Sequence, residues 1–223
     1  MGLPFELVVF DLDGTLVDTE AWWPAVAREA VRRLGERWGR ELPLPDAERA
    51  WSLVGLPDRA VFEGLLPEED RHAWKEMRAL VLPLEVEVLR GGRDFVFPGM
   101  RELCRDLREA GVPLGIASNC GRAYFEACLS GQGLGDLVDL AFCLDSGAGD
   151  KAGMCRAIRA ALAPGAPEKA CVLVGDRETD ARAARSLGWA FLLRLGFHRR
   201  GDLGGVPSVA DARELRARLL PGS

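Results

Sequence analysis

Residues 7–16 of the chain read LVVFDLDGTL: four apolar residues, then two aspartates two positions apart, a glycine and a threonine. A short apolar run of this kind is typical of a buried strand in a parallel sheet. Side chains alternate in direction along an extended segment, so Asp11 and Asp13 are expected to point the same way. Gly14 permits the chain to turn away directly afterwards. The segment therefore predicts a strand that brings two carboxylates to one edge of a sheet.

Four further apolar runs follow along the chain, and segments with the apolar spacing of one-sided helices separate them. The predicted strands are Leu7–Phe10, Leu114–Ala117, Val138–Leu144, Cys171–Val174 and Ala190–Leu195. The predicted helices between them are Met100–Ala110, Arg122–Leu129, Met154–Leu162 and Thr179–Leu187. This alternation predicts an α/β fold with a doubly wound parallel sheet and right-handed crossovers. Ligands of such sheets bind at the carboxyl ends of the strands.

The stretch from Leu16 to Gly92 interrupts the alternation, because it shows helical periods and no convincing strand. The helices predicted there are Glu20–Trp38, Asp46–Leu53, Asp58–Leu65 and Glu68–Val88. We therefore predict a discontinuous core domain of residues 1–15 and 93–223 and an inserted helical domain of residues 16–92. The segments Leu16–Thr19 and Gly91–Pro98 are the predicted hinges. The pair Trp22-Trp23 either lines the entrance to a site or packs inside the inserted domain.

Composition narrows the classes of partner and location. The 223 residues carry a formal net charge of −5, which argues against nucleic acid as a partner because phosphate-backbone binding needs a basic surface. No apolar stretch is long enough to span a bilayer, and no signal peptide is predicted. The six cysteines form no C-x-x-C pair. We expect a cytoplasmic protein with free thiols and no membrane partner, and the oligomeric state stays open.

A second acidic cluster follows another predicted strand. Residues 175–180 read GDRETD, with Asp176 at the strand end and Asp180 in the loop or the first helical turn after it. Four carboxylates at one sheet edge repel one another unless a cation lies between them, and Mg²⁺ prefers oxygen ligands. Two alternatives stay open: a solvated turn at Asp13-Gly14, and a helix cap formed by Asp176 or Thr179.

Polar residues follow two other strands of the predicted sheet. Ser118 and Asn119 come after Leu114–Ala117 and before a helix, where a hydroxyl, an amide and backbone N–H groups suit a phosphoryl oxygen. Lys151 stands just before a helix in a chain that uses Arg at 26 of its 29 basic positions, which indicates a need for a compact charge. The alternatives are an ordinary helix cap at Ser118 or Asn119 and a solvated loop lysine at Lys151.

These four segments together resemble the haloacid dehalogenase superfamily of phosphatases. They are D-x-D-G-T at Asp11–Thr15, Ser118-Asn119, Lys151, and G-D-x-x-x-D at Gly175–Asp180. The helical insertion resembles the subgroup with an α-helical cap, which includes phosphoglycolate and small sugar-phosphate phosphatases. The resemblance implies a Rossmann-like core that carries this cap. The chain departs from many relatives at Ala152, where they have Pro after the motif lysine.

The resemblance also implies the chemistry. Asp11 is the implied nucleophile, which forms an aspartyl-phosphate, and Asp13 is the implied acid that protonates the leaving oxygen and then activates water. The implied cofactor is Mg²⁺, held by Asp11, the backbone carbonyl of Asp13 and Asp176. Asp180 orients that set of ligands or reaches the metal through water.

Phosphoryl-group binding is implied for Ser118, Asn119 and Lys151, and Ser118 and Lys151 are also counted as catalytic. The implied substrate is a phosphate monoester of a small soluble metabolite, with water as the acceptor. The presence of Asp13 argues against the dehalogenases of the superfamily, which generally lack that acid. Two alternatives stay open: a phosphomutase of the β-phosphoglucomutase type, and a non-catalytic binding protein that keeps the fold.

Overall fold

A computed structural model describes residues 4–195, 203 and 205–221 of the protein. The chain divides into two compact units. The first consists of Met1–Val17, Val96–Ser118 and Gly133–Ser223, and the second of Asp18–Phe95 and Asn119–Gln132. The second unit thus takes in residues 119–132 as well as the helical insertion. The domain boundaries drawn from the sequence stay a prediction.

A six-stranded sheet, counted over the described residues, forms the centre of the first unit. Its strands are β1 (Leu7–Phe10), β2 (Leu114–Ser118), β3 (Leu140–Cys143), β4 (Cys171–Gly175), β5 (Ala190–Arg194) and β6 (Ser208–Val209). They lie in the order β3-β2-β1-β4-β5-β6, and every neighbouring pair is parallel. The predicted doubly wound parallel sheet is confirmed.

The α-helices of the described residues lie in both units. In chain order they are α1 (Trp23–Trp38), α2 (Ala47–Leu53), α3 (Asp58–Gly64), α4 (Trp74–Arg90), α5 (Met100–Glu109), α6 (Arg122–Gly131), α7 (Lys151–Leu162), α8 (Glu178–Ser186) and α9 (Ala212–Leu219). None of these helices is long and apolar enough to cross a membrane.

The register of the sheet aligns the ends of its three central strands. Phe10 at the end of β1 pairs with Ile116 of β2 on one side and with Val174 of β4 on the other. The backbone N–H of Asp11 continues this ladder by donating to the carbonyl of Val174 at 2.8 Å. All residues of β1, β2 and β4 are buried, which is why these strands are continuous apolar runs. The residues that follow them therefore leave the sheet at one edge.

Several predicted element boundaries in the first unit differ from the structure, most of them by one residue, and two of the differences have a local cause. The strand predicted over Val138–Leu144 is shorter, because Leu144 begins a 3₁₀ turn in which the Ser146 hydroxyl accepts a hydrogen bond from the Cys143 N–H at 2.9 Å. Helix α7 starts at Lys151, before the predicted Met154. Its start is set by Asp150, whose side chain accepts from the N–H of Gly153 at 2.8 Å. Lys151 is consequently a helical residue, not a loop residue before the helix.

The second unit is a helical bundle in which α4 packs against α1 and α6. The helix predicted over Glu20–Trp38 starts at Trp23, after a 3₁₀ turn at Thr19–Ala21, and Pro24 occupies its first turn. Likewise, the helix predicted over Glu68–Val88 consists of a 3₁₀ segment, Glu68–Ala73, followed by α4.

Aromatic side chains and one glutamine form contacts that stabilise the ends of this bundle. The ring of Trp22 lies 6.3 Å from that of Trp23, 6.2 Å from that of Phe95 and 6.1 Å from that of Tyr124. The buried Gln132 accepts a hydrogen bond from the Phe95 N–H at 2.7 Å, and its amide donates to the carbonyls of residues 89 and 93. These contacts hold the segment that returns from α4 against the end of α6.

Candidate active site

The turn after β1 holds two buried aspartates, Asp11 and Asp13. Backbone hydrogen bonds close this turn tightly: Val17 donates to the Leu12 carbonyl at 3.0 Å, and Gly14 donates to the Val17 carbonyl at 2.9 Å. Gly14 has a φ of +75°, and a Cβ at this position would lie 2.8 Å from Cγ of Asp176. A glycine is therefore needed both for the turn and for the approach of the second acidic segment.

Lys151 lies between two of the carboxylates. Its Nζ is 2.5 Å from Oδ1 of Asp11 and 2.7 Å from Oδ1 of Asp180. All three side chains are at least nine-tenths buried. A buried ammonium in contact with two buried carboxylates excludes the alternative of a solvated loop lysine.

The residues after β4 bring two more carboxylates to this place. Asp176 follows the strand, and Nε of Arg177 is 3.4 Å from its Oδ2. Asp180, in the first turn of α8, accepts a hydrogen bond from the backbone N–H of Arg177 at 3.0 Å. A Cβ on Gly175 would lie 2.6 Å from Cγ of Asp180, so this glycine allows the close approach. Helix α8 starts at Glu178 and its N-cap residue is Arg177, which excludes Asp176 and Thr179 as the cap.

Three of the carboxylates are close enough to share one ion. Asp11, Asp176 and Asp180 each offer an oxygen, and these oxygens lie within 4.8 Å of one another. Oδ1 of Asp176 is buried without a hydrogen-bond partner among the described residues. A buried carboxylate oxygen without a partner is costly unless a cation meets it, and an all-oxygen donor set suits Mg²⁺. The residues fit the implied metal. The Asp13 carboxylate is not a member of this group.

The electrostatics of the cluster lead to the same conclusion. Burial raises the pKa of Asp11 well above its ordinary value; the charges of Asp180 and Asp176 add to this effect, and Lys151 opposes it. Burial also raises the pKa of Asp176 to about 7, against the effect of Arg177. For Lys151, burial lowers the pKa, but Asp11 and Asp180 outweigh it and the net shift is upward. Burial thus disfavours the ionised forms of Asp11 and Asp176, and a cation bound between them would favour those forms.

The phosphate-binding residues predicted from the sequence are divided between the two units. Ser118 is the last residue of β2 in the first unit and is buried. Asn119, the next residue, belongs to the second unit and is half-buried. Helix α6 starts at Arg122, its N-cap residue is Gly121, and no side chain caps it, which excludes the ordinary cap at Ser118 or Asn119.

The structure thus brings together Asp11, Asp176, Asp180 and Lys151. It also adds Arg177, which the sequence analysis did not single out. The signal that could have identified Arg177 is its position inside GDRETD, directly after a predicted metal ligand. Trp22 and Trp23 are both buried within the second unit.

The sequence of the chain matches the family model of haloacid dehalogenase-like hydrolases over residues 5–188. The chain belongs to the haloacid dehalogenase-like hydrolase family. That match includes every residue of the acidic cluster. The predicted family is confirmed.

Individual relatives of this family agree with the assignment. The chain is 30% identical over 200 residues to "Probable phosphatase IndB" of Dickeya dadantii, covering 88% of the chain and 84% of that relative. It is 29% identical over 224 residues to a phosphoglycolate phosphatase of Nitrosospira multiformis, with 96% of each covered. These names support the predicted enzyme class, a phosphatase.

A solved structure shows the same fold. The crystal structure of a proposed phosphoglycolate phosphatase from Lactobacillus delbrueckii subsp. bulgaricus superposes with a TM-score of 0.78. The identity is 23%, and the superposition covers 97% of the chain and 99% of that structure.

Proposed function

We propose that this haloacid dehalogenase-like phosphatase hydrolyses a phosphate monoester of a small metabolite with Mg²⁺ and through an aspartyl-phosphate. The observation that carries the proposal is the buried carboxylate of Asp11, which a buried lysine contacts at 2.5 Å in a group of three converging aspartates. The charge of Lys151 favours the ionised form of Asp11 against the effect of burial, and an ionised carboxylate is a nucleophile for phosphorus. The names of the relatives support phosphate esters as the substrate class.

In the proposed reaction, an oxygen of Asp11 forms a bond to phosphorus while the bond from phosphorus to the leaving oxygen breaks. Asp13 donates a proton to that leaving oxygen. A water molecule then gives a proton to Asp13 and attacks phosphorus. The bond to Asp11 breaks, and inorganic phosphate leaves. One residue is thus acid in the first step and base in the second.

Other groups of the proposed site stabilise the negative charge of the phosphoryl group. Lys151 and Ser118 are both buried in the same unit as Asp11, and we assign them, with Asn119, to the phosphoryl oxygens. Mg²⁺, held by Asp11, Asp176, Asp180 and the carbonyl of Asp13, supplies when bound the positive charge that offsets the phosphate.

The proposed partner is a small-molecule phosphate ester. Neither nucleic acid nor a membrane is a proposed partner, because the net charge of the chain is −5. We place the enzyme in the cytoplasm because its six cysteines are free thiols, as a reducing compartment favours.

The test is phosphate release from a panel of phosphate monoesters, with Mg²⁺ and with EDTA, by the wild type and by Asp11→Asn. The matched control is Asp136→Asn, which removes an exposed carboxylate from the same unit. We expect Mg²⁺-dependent release by the wild type and the control, and a loss of about a thousandfold or more in Asp11→Asn. Release that persists in Asp11→Asn would show that another group is the nucleophile.

Product analysis separates hydrolysis from phosphoryl return to the substrate. With sugar monophosphates, we expect free phosphate and free sugar. An isomerised sugar phosphate without free phosphate would assign the enzyme to the mutases. Mass spectrometry of Asp13→Asn after mixing with an aryl phosphate, whose leaving oxygen needs little protonation, is expected to find the phosphoryl group on the peptide that contains Asp11.

A further inference from the structure

The acidic cluster has two cations of its own in the described part of the first unit. Lys151 contacts Asp11 and Asp180, and Arg177 lies beside Asp176 with a nitrogen–oxygen distance of 3.4 Å. Each carboxylate of the group that could hold a metal therefore already faces a positive side chain. A metal ion that enters this group competes with those side chains for the same oxygens.

The two cations differ in their access to water. The side chain of Lys151 is 6% exposed, whereas that of Arg177 is 23% exposed. Withdrawing Lys151 would leave two buried carboxylates without their partner, which is a large cost. The Arg177 head group can regain hydration when it leaves Asp176. Of the two cations, Arg177 is therefore the one whose side chain can move away from its carboxylate.

The backbone of Arg177 contacts Asp180 independently of the Arg177 guanidinium. The backbone N–H of Arg177 donates to Oδ2 of Asp180 at 3.0 Å, and this bond does not involve the guanidinium. The side chain can thus turn away from Asp176 while the backbone keeps Asp180 in place. Arg177 is accordingly a positioning residue whose charge acts on Asp176.

We propose that Arg177 is the counter-ion of Asp176 in the metal-free enzyme and yields that carboxylate to the divalent cation, so that its charge sets the affinity for Mg²⁺. The inference rests on the proposed Mg²⁺-dependent function and adds a residue that regulates it. Removing the charge of Arg177 removes both the competition for Asp176 and the repulsion of the arriving cation. The affinity for Mg²⁺ then rises, a result that simple damage to the site would not give.

The experiment is isothermal titration calorimetry of Mg²⁺ into the metal-stripped protein at one pH, with the wild type, Arg177→Gln and Arg185→Gln. Arg185 is the matched control because it lies in α8, the helix that Arg177 precedes, carries the same charge and is 66% exposed, with Glu178 as its partner at 3.7 Å. We expect the Kd of Arg177→Gln to fall about tenfold, as loss of a charge a few ångströms from the ligand predicts, and that of Arg185→Gln to stay within about twofold.

Thermal unfolding measures the same binding equilibrium without calorimetry. At one subsaturating Mg²⁺ concentration, the rise in Tm is expected to be larger for Arg177→Gln than for the wild type. An unchanged or weaker affinity of Arg177→Gln, while the wild type binds Mg²⁺, overturns the role of Arg177 and leaves the proposed function intact. A wild type that binds no Mg²⁺ overturns the proposed function itself, and the inference with it.

Discussion

Individual residues decide whether the acidic cluster can form. Gly175 is one such residue, because a Cβ there would lie 2.6 Å from Cγ of Asp180. Gly175→Ala is expected to displace Asp180 from Lys151 and to lower the free energy of unfolding by about 1–3 kcal/mol. Gly165→Ala is the control, since its Cβ would meet no atom within 4 Å. Its effect is expected to stay within about 1 kcal/mol. Equilibrium unfolding in urea measures both.

The raised pKa of Asp176 predicts a dependence of stability on pH. In the metal-free protein its pKa is about 7, against an ordinary value of 3.8. Between these values the folded state binds more protons than the unfolded state, so this residue lowers the free energy of unfolding as pH rises from about 4 to 7. Relative to the wild type, Asp176→Asn is therefore expected to gain stability as pH rises.

Thermal melts in EDTA at pH 5 and pH 8 test this expectation. Taking the difference between Asp176→Asn and the wild type at each pH removes the contributions of other groups that both proteins share. An equal difference at both pH values would contradict the raised pKa.

The site residues differ in how well the sequence predicts them. Asp11, Asp176, Asp180 and Lys151 were predictable because each follows an apolar run that ends at the same sheet edge. The position of Arg177 directly after Asp176 could have identified it, but the direction of its side chain was not predictable, because that direction depends on the backbone before the start of α8. That backbone conformation is set by tertiary packing and leaves no mark in the spacing of residues.

At the scale of elements, two adjacent tryptophans at the start of α1 differ in the hydrogen bonding of their indole nitrogens. Nε1 of Trp23 donates to the Ala50 carbonyl at 2.8 Å and so joins α1 to α2, whereas Nε1 of Trp22 is buried without a partner among the described residues. Trp23→Phe leaves a buried carbonyl unpaired and is expected to lower the free energy of unfolding by about 1–3 kcal/mol.

Replacing the neighbouring tryptophan by phenylalanine is not expected to lower the stability. Trp22→Phe keeps an aromatic ring near Phe95 and Tyr124 and removes a donor that has no acceptor, so we expect stability to be unchanged or increased. Comparing the Tm of the two variants checks both expectations. A larger loss in Trp22→Phe than in Trp23→Phe would mean that the Trp22 nitrogen has a partner in solution.

The existence of most elements was predictable, and their ends were less so. Apolar period identified the five longer strands and the helices between them. Strand β6 has only two residues, Ser208–Val209, which is too short for any period. The early start of α7 depends on the cap at Asp150, and a cap is a single residue that the periodic signal does not contain.

For the whole molecule, Mg²⁺ is expected to be a stabilising ligand. A ligand that binds only the folded state adds about 2.7 kcal/mol at a hundred times its Kd. Mg²⁺ is therefore expected to raise the Tm of the EDTA-treated wild type, and Asp11→Asn is expected to lose most of that rise. An equal rise in the wild type and in Asp11→Asn would place the binding of Mg²⁺ elsewhere.

The parallel arrangement of the sheet was predictable from the sequence, whereas the order of its strands was not. Alternating strands and helices require a parallel α/β arrangement, and the ends of its strands form the edge at which the carboxylates meet. The order β3-β2-β1-β4-β5-β6 was not predictable, because an apolar run carries no information about which strands lie beside it. The placement of Asn119 with the helical unit depends on packing for the same reason.

The central position of β1 has a consequence for the synthesis of the protein on the ribosome. Asp11 emerges early, but the strand that carries it is completed only by β2 on one side and β4 on the other. Asp180 emerges later still. A nascent chain shorter than this therefore contains the proposed nucleophile but lacks the carboxylate of Asp180. We therefore expect the group of three carboxylates to form only after the segment that carries Asp180 has left the exit tunnel.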